Sequence, residues 1–195
     1  MRRNIIIAVC AMAVATTVFT GCKHAAPRTA RQPGIDAAGQ NFYTTVNIWY
    51  ENPQNIASTN YHAGAILPAG TEVRIQQVDM QGIDFTVVET GRAYRLNHVK
   101  RHSEISIEEY FDRHFSKTDP MGEDGRFQEF TEDEQENIKA GTITEGMSKD
   151  AVIMAYGYPP THRTYSLKAN RWTYWLNRFL TQEVRFEDDR VSEII

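Results

Sequence analysis

The sequence predicts an α+β fold: a small antiparallel β lobe first, then a C-terminal layer of two helices and three antiparallel strands. Three observations predict it. Residues 41 to 99 alternate apolar and polar side chains with a period of two, and Pro-Gly and Gly turns interrupt them. Two helix-start signatures follow, Thr131 with Glu134 and Met147-Ser148 with Val152. Three more strand-like runs close the chain, at Arg171–Arg178, Gln182–Glu187 and Arg190–Ile194.

In the β lobe, Val46, Ile48 and Tyr50 alternate with Asn47 and Trp49. Leu67-Pro68-Ala69-Gly70 carries turn chemistry, since proline fixes φ. The run 71–78 puts Val73 and Ile75 on one face. Gln81-Gly82 turns the chain, and then Ile83, Phe85 and Val87 point one way while Asp84 and Thr86 point the other. After Thr90-Gly91, Tyr94, Leu96 and His98 continue the alternation. Short strands at short spacing point to a small SH3-like barrel or meander. Ser106 and Glu109 read as a capping box, with Glu109 reaching back. Behind it, Ile107, Tyr110, Phe111, His114 and Phe115 mark one face of a helix of about three turns. That helix closes the lobe, which spans residues 41–116. Residues 117–126 hold Pro120 and two glycines among charges and read as a linker.

The C-terminal lobe spans residues 127–195. Thr131 and Glu134 form a second capping box, with acids in the first turn, where the helix dipole favours them. Gly141 can end that helix. Ser148 caps the next, and Met147 and Val152 sit at the positions of a hydrophobic staple. Gly157 can stop it, and Pro159-Pro160 forbid continuation. In the strands, Trp172, Tyr174 and Leu176 share a face, as do Val184 and Phe186. Asp188-Asp189 makes the last turn.

The N-terminus has another character. Arg2 and Arg3 precede the apolar run from Ile5 to Phe19, and Thr20-Gly21 lead directly to Cys22. Positive start, apolar core and small residues are the order of a secretory signal, here residues 1–21. The run is shorter than the roughly 20 apolar residues of a membrane-spanning helix. Phe19-Thr20-Gly21-Cys22 resembles the lipobox of bacterial lipoproteins. The resemblance implies that Cys22 is acylated and becomes the first residue of the mature chain, a lipid anchor in a membrane. Lys23 stands where an Asp would retain a lipoprotein at the inner membrane, so the resemblance implies the outer membrane, facing the periplasm. Residues 22–40 are rich in Ala, Pro and Gly and read as a flexible tether. Cys10 would leave with the signal and Cys22 would carry lipid, so no free thiol remains. The formal charge is −4 and no basic patch appears, which argues against nucleic-acid binding.

The C-terminal lobe resembles the SmpA/OmlA (BamE-like) family of outer-membrane lipoproteins. The matching residues are Ile143, Gly146-Met147-Ser148, Val152, Gly157-Tyr158-Pro159, Trp172 and Tyr174, Val184 and Phe186, ending in Val191 and Ile194. The resemblance implies a non-enzymatic accessory role with an envelope protein partner, in outer-membrane protein assembly or envelope integrity. The β lobe in front has no counterpart in small members of that family.

No nucleophile motif or phosphate loop is present, and no catalytic, cofactor-binding or metal residues are assigned. His98 and His102 could be imagined as ligands, but Lys100 and Arg101 lie between them, so exposed loop histidines are the expectation. The pairs Glu108-Glu109 and Asp188-Asp189 face different ways and read as solvated surface. The aromatics carry more weight. Trp49 and Trp175 lie out of phase with the apolar faces of their strands. They are either buried against another element or form a partner-binding surface, together with Arg171 and Arg178. The leading expectation is a lipid-anchored binding or scaffold module, which a flat apolar-aromatic patch on the C-terminal sheet would favour. The alternative is cell-wall or glycan binding through the β lobe, which an exposed aromatic groove there would favour. A deep pocket with clustered carboxylates or histidines would indicate an envelope enzyme.

Overall fold

The computed structural model describes residues 35–195. The signal, Cys22 and most of the tether lie outside the described residues. The fold is α+β. The β lobe contains β1 (Asn41–Thr44), β2 (Ile48–Tyr50), β3 (Ile56–Ala57), β4 (Ala65–Leu67), β5 (Glu72–Asp79), β6 (Gly82–Val87) and β7 (Ala93–Asn97), then α1 (Ile107–His114) and β8 (Phe115–Ser116). A 3-10 turn (Arg126–Glu129) leads to α2 (Glu132–Ala140), α3 (Lys149–Tyr156), β9 (Arg171–Trp175), β10 (Thr181–Glu187) and β11 (Arg190–Ile194).

The first sheet runs β3-β7-β6-β5-β1-β8, and β2 pairs β4 separately. The register puts Ile75 opposite Phe85, and Phe85 opposite Tyr94. All three are buried, so the period-two alternation does face one core. One pairing departs from the antiparallel expectation: β3 joins β7 in parallel. The C-terminal sheet runs β11-β10-β9, all antiparallel, with α2 packed on α3.

The local signals explain the helices. Thr131 and Glu134 form the reciprocal capping box, and Gly141 ends α2 in the left-handed region at φ 66. Ser148 caps α3 through Ala151 N, and Gly157 stops it at φ 75. Asp188 and Asp189 both have positive φ, as a tight primed hairpin turn requires. At α1 only half of the expected box forms. Ser106 accepts from Glu109 N, but the Glu109 carboxylate turns along the helix to Arg113, 2.7 Å away. An i, i+4 ion pair competes for the same carboxylate and takes it. The helix is also shorter than expected: Phe115 leaves it to pair with β1.

The buried side chains of the two sheets join in one cluster that runs from Phe42 through Leu67, Ile138 and Met154 to Val191. Asn47 is the main stitch, and here the alternation misled. Asn47 was expected to face outward but is 3 % exposed. Its side-chain NH2 donates to Ile138 O (2.7 Å) and Ala155 O (3.0 Å), and its oxygen accepts from Ala69 N. Its own backbone N donates to Met154 O. The carbonyls at the ends of α2 and α3 need donors, and a buried amide supplies them.

Candidate binding surfaces

The four candidate residues do not form one patch. Trp49, on β2, and Trp175, at the end of β9, are both half-buried and flank the same seam between the sheets. Tyr61 and His62 lie between them. Tyr61 bridges Trp175 as a short parallel extension of the C-terminal sheet, and His62 N donates to Trp175 O. Trp49 meets His62 and Tyr156 edge-on. Trp175 is covered by Tyr61 edge-on, by the stacked His162 ring, and by the Arg163 guanidinium at 5.6 Å. Arg171 lies at the other end of β9. It belongs to a surface ladder with Glu183, Arg185 and Glu193. That face of the C-terminal sheet is therefore charged and is not the flat apolar-aromatic patch that a partner-binding sheet was expected to offer.

Arg178 is not on the strand. β9 ends at Trp175, because Leu176 N and Asn177 N both turn back to Leu180 O. The Asn177 side-chain oxygen accepts from Phe179 N and Leu180 N and fixes the turn. The apex so held presents Phe179, 83 % exposed, and Leu180, 54 % exposed, with the Arg178 guanidinium 4.8 Å from the Phe179 ring. The sequence reading named Arg178 and passed over Phe179 and Leu180. The available signal was two large apolar residues inside a turn rather than on a strand face.

Among the described residues, His98 is buried and His62, His102, His114 and His162 are half-buried. His98 is 6 % exposed and stacks on Tyr110, contrary to the expectation of an exposed loop histidine. The strand alternation carries one residue further than β7, so His98 follows Tyr94 and Leu96 inward. Burial lowers its pKa. His62 stacks on Tyr156 at 3.9 Å, and its ring nitrogens face Tyr156 O (2.7 Å) and Trp175 O (3.3 Å). A neutral ring can donate to only one of them, and the distances assign the proton to Nε2. Burial lowers its pKa to about 4, against the opposing pull of both carbonyls. His114 is likewise lowered to about 4: burial lowers it most, the Tyr110 carbonyl opposes, and Arg113 adds a smaller lowering. The Glu134 carboxyl is lowered even though burial pushes it up: it accepts from Ser148 and Thr131 as the shared cap of α2 and α3.

Among the described residues, no group of three or more His, Cys, Asp or Glu is placed to hold a metal ion. No described helix is long and apolar enough to cross a membrane. A small cavity of about 30 Å³ lies in the seam beside His114 and Tyr158, room for about one or two waters. An open cleft of about 230 Å³ lies on the β lobe beside Trp49, Tyr50 and Tyr61.

Comparison with protein-family models, with curated proteins and with solved structures yields no match.

Proposed function

We propose that this chain is a non-enzymatic lipoprotein, anchored through Cys22 in the outer membrane on its periplasmic side, that binds another envelope protein as a scaffold module. On this reading the β lobe is SH3-like and the C-terminal lobe is an SmpA/OmlA (BamE-like) unit. The order of helix, helix and three antiparallel strands supports the second assignment, as does the pairing of Gly146-Met147-Ser148 with Gly157-Tyr158-Pro159 at the ends of α3.

The observation that carries the proposal is the β9–β10 apex. Phe179 and Leu180 are exposed side by side at a turn that Asn177 holds in place, next to Arg178. Exposed Phe and Leu at a rigid tip gain nothing for folding. Aromatic and Arg side chains that fill a partner's pocket are the usual anchors of an interface, and a pre-ordered turn lowers the entropy lost on binding. The tip is a plug, and its complement is an apolar pocket rimmed by acidic groups.

The test is a photo-crosslinking residue placed at Phe179 in the full-length chain in intact cells, with the same residue at Glu187 as control. The expected result is a discrete protein adduct from Phe179 alone. Adducts of equal yield at both sites, or none at either, would sink the proposal. Cys22→Ser should release the protein from membranes, and retention in the membrane pellet would remove the anchor from the reading.

A further inference from the structure

We infer that the cleft on the β lobe is a binding site for a neutral saccharide, held on the rings of Trp49, Tyr50 and Tyr61 with Glu51, Asn52 and Asn55 as its polar groups. The inference does not rest on the apex.

The three rings are half-buried and line one opening. Each is fixed by an edge-on contact with an aromatic behind it. Trp49 meets His62 and Tyr156, Tyr50 meets Tyr94 at 5.2 Å, and Tyr61 meets Trp175 at 6.4 Å. These are favoured ring geometries, so the platform is rigid before any ligand arrives. The cleft volume of about 230 Å³ falls below that of a drug-sized pocket and suits one sugar ring with the next residue left in solvent.

The polar groups decide the ligand class. The side-chain oxygen of Asn52 accepts from Gln54 N, and that of Asn55 accepts from Asn97 Nδ2. Each amide therefore keeps its NH2 group and one further acceptor site on its oxygen for a ligand. Glu51 is exposed and is the single charged side chain lining the cleft. Two amides, which both donate and accept, and one carboxylate beside aromatic faces match a ring with hydroxyl or acetamido groups at its rim and C–H bonds on its face. The positive C–H face meets the negative face of an aromatic ring. An aromatic set with a carboxylate also attracts an ammonium ion. The amide NH2 groups beside it oppose a cation, and the Glu51 carboxylate opposes an anion, while the nearby Arg92 guanidinium is already engaged with the Tyr50 ring and hydroxyl at the rim. A neutral sugar satisfies all six side chains.

The test uses the intact lipoprotein in a detergent with neither sugar nor choline headgroups. Tryptophan emission is followed during titration with a trimer of N-acetylglucosamine, with maltotriose, and with choline chloride. The expected result is a saturable change with a saccharide at about millimolar concentration, the range of a weak single-ring site. Asn55→Ala and Tyr61→Ala should each weaken it about tenfold, equivalent to about 1.4 kcal/mol. Phe179→Ser should leave it unchanged, which separates this site from the apex. Saturation by choline alone, or no saturable change with either saccharide, would overturn the inference. If Tyr61→Ala fails to fold, Asn55→Ala, whose side chain is exposed, still decides the matter.

Discussion

At the seam, Asn47 is 3 % exposed, and its side chain is hydrogen-bonded to Ile138, Ala155 and Ala69. At the β9–β10 apex, Phe179 is 83 % exposed and faces Arg178. The two regions invert the usual placement: polar groups lie inside the first, and apolar groups lie outside the second. The inversions have different physical consequences. A buried amide or imidazole is costly unless each of its atoms finds a partner, so it penalises every arrangement of the two sheets except one. An exposed Phe on a turn constrains no internal packing, so it is free to serve contact with something else. The seam thus specifies the fold, and the apex is available for association.

The largest expected effect breaks the seam with acid. His62 and His114 titrate at about 4 in the fold, against an ordinary value of 6.5. Their folded pKa values lie below the unfolded one, so unfolding takes up protons between the two. Their contribution to stability is complete above about pH 6.5 and declines as pH falls towards 4. Two shifts of this size amount to about 7 kcal/mol in all. The loss continues below pH 4.5 as Glu134, whose folded pKa is also lowered, takes up its proton. Urea unfolding midpoints across pH 7.5 to 4 would measure it. A midpoint that stays flat down to about pH 4.5 would mean that the seam histidines are not buried as described.

Asn47→Ala comes next. It strands the carbonyl of Ala155 and the N–H of Ala69 and leaves the Ile138 carbonyl with the Gly141 N–H alone, and should cost about 3 kcal/mol by chemical denaturation. A cost under about 1 kcal/mol would show that water replaces the amide and that the seam is looser than its hydrogen bonds imply.

The seam is also the part of the fold that the sequence shows least. Thr131 with Glu134, Gly141, Ser148 and Gly157 were legible because each acts on backbone within a few residues. The alternation in β6 and β7 was legible because one face of that sheet is buried. Asn47 makes its bonds 91 and 108 residues away, so nothing near it marks it as internal. Its position in an alternating run even pointed outward. Glu109 shows a smaller version of the same failure: the capping pattern was present, but Arg113 offered the carboxylate a better partner. For the candidate sites, the phase of Trp49 and Trp175 correctly set them off their own sheet faces. That they meet across Tyr61 and His62 depends on how the sheets pack, which periodicity does not encode.

A pair of glycines isolates the seam from mere backbone strain. Gly141 and Gly146 both sit at positive φ, at 66 and 88. A Cβ on Gly141 would collide with Ile66 and approach Trp49, while one on Gly146 meets nothing within 4 Å. Gly146→Ala should cost about 1 kcal/mol from backbone conformation alone, and Gly141→Ala about 2 kcal/mol, the difference being the contact with β2 and β4. Equal costs in thermal melts would show that Ile66 and Trp49 move aside without penalty.

The smallest effect on stability is the sharpest for the comparison. Phe179→Ser and Leu180→Ser, singly or together, should change unfolding free energy by no more than about 0.5 kcal/mol, since neither side chain is buried and Asn177 still holds the turn. The same double variant should bind less to a hydrophobic column and should lose the protein adduct formed near residue 179. Asn177→Ala gives the complementary result. It leaves Phe179 and Leu180 in place but removes the acceptor for both of their N–H groups, so the apex keeps its composition and loses its shape. If binding depends on a preformed plug, Asn177→Ala weakens association about tenfold with little loss of stability. If apolar surface alone matters, Asn177→Ala binds as the parent does, and the apex is an adhesive patch rather than a shaped anchor.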